Sequence, residues 1–288
     1  MLEVPSLPNA EIQADWAEMS VLFSGGNTIS RSDFETALEE SGHSNPDYIL
    51  GNIWQEVGWR QSTLPELHPI YVTQSSLIKK LQWHQSLPYS FMLLLARNYF
   101  YESTKLNRYT RSLPSKLFER LVSVSLKEYL GRSLNIGWPR KGIFKQKTFK
   151  ESIIYFTNLS NEDISIPIRT RRKAKDEGAD VIAWRPIDQR SGQAIIVAQC
   201  TIEKNWHNSV GKVNLDTWQN IVDFAIKPMK ALAFPAVYHD QWNFWSKQGG
   251  ILLDRLRLSL LFPKNSAYLY ASLKNWSENQ IVNLQKFD

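Results

Sequence analysis

The sequence predicts an α/β (α+β) chain in which a mixed β-sheet flanked by helices follows a mostly helical N-terminal domain. Three observations carry this expectation. The run Ala194–Cys200 (AIIVAQC) is nearly all apolar and bounded by turn residues, the pattern of a strand buried on both faces. Short apolar runs of this kind alternate with stretches of helical period through the second half of the chain. In the first hundred residues, capping signals and apolar positions at helical spacing recur around a single short extended piece.

Composition narrows the field. With 288 residues, 43% hydrophobic and 22% charged, the chain can bury a proper core and is not of the disordered class. A net charge of +6 and a pI near 9.2 favour a polyanionic partner. Cys200 is the only cysteine, which excludes disulfides within the chain and multi-cysteine zinc sites. The histidines show no metal-ligand spacing, and there is no Walker loop, dinucleotide glycine fingerprint or GxSxG elbow. The opening MLEVPSLPNAEIQ has neither a basic nor an apolar signal region, and Phe91–Ala96 is too short an apolar run to span a bilayer. The expected location is cytoplasmic, with no membrane partner.

Taken in order, Trp16, Met19 and Phe23 fall at helical spacing, and Ser24-Gly25-Gly26 ends that helix. Ser32-Asp-Phe-Glu35 has the form of a capping box, opening a helix that Gly42 closes. Asn45-Pro46 is an N-cap and N1 pair, with Tyr48, Ile49, Ile53, Trp54 and Val57 expected inward. Pro69–Thr73 reads as extended, and a fourth helix is expected from about Pro88 to Tyr101. This order suits a winged-helix-like module that sits on DNA, or a small helical bundle that contacts protein. The polar, basic stretch 102–112 marks the junction, giving an accessory domain over residues 1–108 and a second domain over 109–288.

Pro114 is expected to open a helix closed by Gly131, with Leu117, Phe118, Leu121, Val122, Ser125 and Tyr129 on its apolar face. Glu128 falls just inside one margin of that face. Glu119 falls about 60° beyond the other, which for a lone carboxylate means water. Residues 138–150 interleave Arg140, Lys141 and Lys145 with Trp138, Phe144 and Phe149, and Arg169–Lys175 adds Arg171, Arg172 and Lys173. Such clusters suit phosphate contacts beside aromatic surfaces, or are simply solvated loops. A strand is expected at Ile153–Phe156 or Ile164–Ile168, then strands at Asp180–Trp184 and Ala194–Cys200. A helix over Asn214–Ile226, a strand over Met229–Val237 and a glycine-interrupted helical stretch over Trp242–Phe262 follow.

The order helix with Glu119, strand opening on Asp180, strand ending on Gln199-Cys200-Thr201, then helix and strand resembles the core of the PD-(D/E)XK, or restriction-endonuclease-like, nuclease superfamily. The similarity covers roughly Ser112 to Val237, and its motifs are short. The resemblance implies a Mg²⁺- or Mn²⁺-dependent endonuclease with Asp180, Glu119 and Gln199 as metal ligands. It implies a nucleic-acid substrate, foremost double-stranded DNA, and a prokaryotic defence or restriction-type setting with a partner protein or a second copy of the chain. The sequence departs from the motif where Thr201 stands in place of the expected lysine. Strand alternation would put Lys204 on the face opposite Gln199, and only a bulge or an early strand end would let Lys204 serve as the catalytic cation. Two further readings stay open: a degenerate nuclease fold that only binds nucleic acid or protein, and a ribonuclease with the same site.

Overall fold

The computed structural model describes residues 1–101, 108–137, 148–165, 177–263 and 266–284. The chain begins with α1 (Ala10–Phe23), capped by the Asn9 side chain, which accepts from Ile12 N at 3.0 Å. After β1 (Thr28–Ser30) comes α2 (Arg31–Glu40). Its capping box is Ser30 with Asp33, not the expected Ser32 with Glu35. The extended backbone of β1 ends at Ser30, so the chain turns into the helix two residues earlier than the motif suggested.

Asn45 and Pro46 open α3 (Pro46–Thr63) as expected, and Ile49, Ile53 and Val57 are buried. Tyr48, expected inward, is 65% exposed. Two short strands follow, β2 (Ile70–Val72) and β3 (Ser76–Lys79), and β3 pairs antiparallel with both β1 and β2. The N-terminal elements therefore run helix, strand, helix, helix, strand, strand, with the sheet in the order β1-β3-β2. Only one of these strands was expected, because segments of three or four residues show no period. The next helix, α4 (Leu87–Leu95), runs on as a π-helical turn to Tyr101.

The long helix α5 (Arg108–Leu130) starts upstream of Pro114, which lies inside it. The proline ring fixes φ near a helical value, so a helix can continue through it at the loss of one backbone hydrogen bond. Leu117, Phe118, Leu121, Val122 and Ser125 are buried as expected, whereas Tyr129 is 55% exposed. Then come β4 (Arg132–Asn135), α6 (Phe149–Ser160), β5 (Asp163–Ile164), β6 (Val181–Arg185), β7 (Ala194–Cys200) and α7 (Leu215–Gln219). The chain finishes with β8 (Val222–Asp223), β9 (Met229–Ala233), α8 (Trp242–Gly249), β10 (Ile251–Leu253), α9 (Arg255–Leu261) and α10 (Ala267–Leu284).

Three expectations need correction here. Ile153–Phe156 is helical: Thr148 and Glu151 form a capping box, and Phe149, Ile153 and Phe156 recur on one buried face. Of Ile164–Ile168, only the start lies within the described residues, as part of β5. The helix expected over Asn214–Ile226 stops at Gln219, where the chain turns into β8 to pair with β5. The stretch Trp242–Phe262 is broken by β10. Gly250, at φ +79°, makes that turn, and a side chain there would run into the Lys230 carbonyl of β9.

The main sheet has the order β10-β9-β7-β6-β4. β4, β6 and β7 pair antiparallel, whereas β7 with β9 and β9 with β10 pair parallel, so the sheet is mixed. Alternate residues feed opposite faces. Val181, Ala183, Ile196 and Ala198 join the core that includes α5 and the N-terminal helices. Ile182, Trp184, Ile195 and Val197 pack with Phe149, Ile153, Phe156 and Trp218. The sheet is a middle layer between helices, and β7 is buried on both faces as its composition foretold.

The N-terminal elements are joined to the rest by charge as well as by apolar packing. Asp15 of α1, wholly buried, accepts from Arg60 of α3 at 2.5 Å and from Arg255 of α9 at 2.5 and 2.9 Å. Glu18, one turn further along α1, accepts from Tyr89 at 2.7 Å and meets His68 at 3.1 Å. Burial alone would raise the Glu18 carboxyl, but Arg60 and His68 hold it below its usual value. Among the described residues, no helix is long and apolar enough to cross a membrane.

Candidate active site

The site is assembled by strand register. β6 and β7 pair with Val181 opposite Ala198, so Asp180, just before β6, arrives beside Gln199 and Cys200 at the end of β7. Asp180 N donates to Ala198 O at 2.8 Å, extending the ladder by one bond. The Asp180 carbonyl accepts from Ile136 N at 2.8 Å and Gly137 N at 3.1 Å, pinning the end of β4 to the same point. One carboxylate oxygen, Oδ2, accepts from Cys200 N and from Gln199 Nε2, both at 2.8 Å. Gln199 Nε2 also donates to the Cys200 carbonyl at 2.8 Å. These two acceptors fix the amide with its nitrogen toward Asp180, so Oε1 is the Gln199 atom able to ligate.

The second carboxylate comes from α5. Glu119 is only 8% exposed, against the expectation that it would face water. Its neighbours explain the difference, since α5 packs on β4, β6 and β7 on one side and on α9 and α10 on another. A helix covered on more than one side has no single wet face. Glu128, at the other margin, is exposed.

Gly137 shows how closely the two acids approach. A β-carbon at that position would stand 2.6 Å from Asp180 Oδ1 and 2.7 Å from Glu119 Oε2. Both carboxylates thus turn an oxygen into the space that glycine leaves open. Lys116, one turn before Glu119, places Nζ 2.9 Å from Glu119 Oε1 and 2.7 Å from Oε2. Burial pushes the Cys200 thiol well above its usual pKa, Asp180 and Glu119 push it further, and Lys116 opposes them. That thiol is held neutral, which makes it a poor nucleophile.

Among the sequence-predicted residues, Asp180, Gln199 and Glu119 are brought together. Lys204 is exposed in the turn beyond β7, which ends at Cys200, so alternation counted from Gln199 does not reach it. Among the described residues, the ammonium beside Glu119 belongs to Lys116. Arg140, Lys141, Lys145, Arg171, Arg172 and Lys173 lie outside the described residues. The chain leaves for the first cluster at Gly137 and re-enters from the second at Glu177, three residues before Asp180.

Sequence reasoning missed Lys116 and Gly137. The spacing of Lys116 three residues before Glu119 was a usable signal for a side-chain pair on one helix face. No signal short of the fold placed Gly137 between two acids. Among the described residues, no group of three or more His, Cys, Asp or Glu is placed to hold a metal. The oxygens on offer are those of Glu119, Asp180 and the Gln199 amide, a hard donor set of the kind that suits Mg²⁺ or Mn²⁺. In comparisons with family models, curated proteins and solved structures, nothing matches this chain.

Proposed function

We propose that the chain is a metal-dependent endonuclease with a restriction-endonuclease-like core, and that it cleaves DNA. The observation that carries this reading is the convergence of Asp180 and Glu119 on Gly137 at the end of an antiparallel strand pair. The order of elements supports it: an acid on a helix, an acid opening one strand, Gln199 ending the next, then a short helix and a parallel strand. A bound Mg²⁺ or Mn²⁺ would supply charge neutralisation at a phosphodiester and activation of a water.

The protein's own contribution is positioning. The Cys200 N–H and the Gln199 amide hold one Asp180 oxygen, leaving Oδ1 turned toward Glu119. Nearly complete burial of both acids limits competing water and strengthens their attraction for a bound cation.

The N-terminal elements fit the winged-helix-like reading better than a plain bundle, since they form an antiparallel sheet behind a pair of helices. The N-terminal turns of α3 expose Tyr48 and Gln55, with Asn52 half-buried beside them. Asn and Gln amides can read adenine edges in a major groove. One observation favours the binding-only alternative. Gln199 in place of an acid leaves two carboxylates, and Lys116 already balances one of them.

The test is cleavage of supercoiled plasmid by wild type and Asp180→Ala, with Mg²⁺, Mn²⁺ or EDTA, and gel shift of the same DNA in EDTA. Metal-dependent nicking that disappears in a folded Asp180→Ala protein is expected. Shifted but uncut DNA would favour the binding-only reading. Unchanged shifting by Asn52→Ala/Gln55→Ala would remove α3 from the DNA contact.

A further inference from the structure

The resemblance behind the proposed function calls for a lysine two residues after Gln199, and Thr201 occupies that place. The helix supplies an ammonium instead. Lys116 and Glu119 are three residues apart on α5, and Lys116 Nζ sits within 2.9 Å of both Glu119 oxygens. Most helical Lys–Glu pairs are surface features worth a few tenths of a kcal/mol. This one is different in its surroundings. The Lys116 side chain is 25% exposed and that of Glu119 10%, and the Asp180 carboxylate meets Glu119 across Gly137. Two carboxylates confined in a poorly solvated space repel each other, and a cation beside them offsets that repulsion.

We propose that Lys116 is the resident counter-ion of the Glu119–Asp180 pair and gives up those oxygens when a divalent cation binds. Its ammonium then becomes the positive charge beside the scissile phosphate, the role vacated at position 201. This rests on the metal-dependent nuclease reading. A divalent ion and an ammonium compete for the same Glu119 oxygens, and the flexible four-carbon stem of lysine lets Nζ move with no change in the helix.

The competition gives a signature that a merely structural lysine would lack. Loss of the ammonium should strengthen metal binding while weakening turnover. The experiment is Mn²⁺ titration by calorimetry, in the absence of DNA, on the full chain as wild type, Lys116→Met and Lys116→Arg. Plasmid nicking at saturating Mn²⁺ is measured on the same proteins. Lys116→Met should bind Mn²⁺ about tenfold more tightly, the size of effect expected from one neighbouring charge, and nick about 10²-fold more slowly. Lys116→Arg should return both values toward wild type.

Unchanged or weaker Mn²⁺ binding by folded Lys116→Met would overturn the counter-ion role. Tighter binding with undiminished nicking would overturn the role at the phosphate. Should Lys116→Met fail to fold, Lys116→Gln carries the same two readouts. No Mn²⁺ binding by either wild type or the lysine variants would defeat the metal-dependent reading itself. Binding that appears only once the ammonium is removed would support the counter-ion role.

Discussion

Gly137→Ala is the sharpest steric test of the acid pair, because one methyl group meets both carboxylates at once. The added carbon would stand at 2.6 Å from Asp180 Oδ1 and 2.7 Å from Glu119 Oε2, where ordinary van der Waals contact begins near 3.4 Å. Each oxygen must retreat by most of an ångström. Gly137 is not among the glycines with positive φ, so alanine adds no backbone strain and its effect is steric alone. Both obstructing groups are side-chain ends that can swing, so the stability cost should be about 1 kcal/mol, the low end for an overpacked site.

Activity should suffer far more, since displacing a reacting group by about 1 Å costs on the order of 10²-fold in rate. The assay is steady-state plasmid nicking at saturating Mg²⁺, with thermal melting and Mn²⁺ calorimetry on the same protein. Gly58→Ala is the control. Nothing lies within 4 Å of its new carbon, so it should leave nicking unchanged and, within α3, stabilise slightly. A Gly137→Ala protein that nicks at the wild-type rate and binds Mn²⁺ normally would refute the idea that this convergence does the chemistry.

Two further predictions concern how the N-terminal elements are held. Asp15→Ala removes one of the two carboxylates that the buried Arg60 and Arg255 share, leaving them Glu18, and should cost about 3 kcal/mol in urea unfolding, the low end for a broken buried pair; a loss below about 1 kcal/mol would mean that Glu18 takes over the pairing. His239 is raised above its usual pKa by the Glu56 carboxylate, against the opposing effect of burial. Its contribution is therefore complete below about pH 6.5, the unfolded value, and is lost as pH rises through the raised folded value. Stability should fall across that neutral window in wild type, and the fall should be absent in His239→Gln when both are followed by urea titration at several pH values.

How far the sequence foretold this depends on what kind of signal each element carried. β7 was legible because seven apolar-rich residues between turns can do little else than lie buried in a sheet. Asp180 and Gln199 were legible as a pair because both flank such strands. Ile153–Phe156 was misread because four apolar residues fit a strand and a buried helix equally, and the Thr148–Glu151 box that decides the matter lies just upstream. For Glu119 the helical wheel alone pointed to water, because it assumes one buried side and nothing local announces that α5 will be covered on several; only the resemblance named Glu119 as a site residue. The strands β1, β3 and β10 are held by pairing with distant partners, information that segments of three or four residues do not contain.

The difference between the legible and the illegible parts bears on how the site is specified. The antiparallel register that sets Val181 opposite Ala198 also sets Asp180 beside Cys200 N, and the two consequences cannot be separated. A slip of one residue would turn Ile182 and Val197 out of their layer of the core and, by the same step, carry the Asp180 carboxylate away from Glu119. Apolar packing on both faces of β6 and β7 therefore enforces the position of a polar group that would otherwise be costly to bury. Glu119 is held through the packing of α5 on one face of the same strands. The acid pair depends both on the register of β6 with β7 and on the seating of α5 against them, and the two acids meet at Gly137, where a side chain would keep them apart.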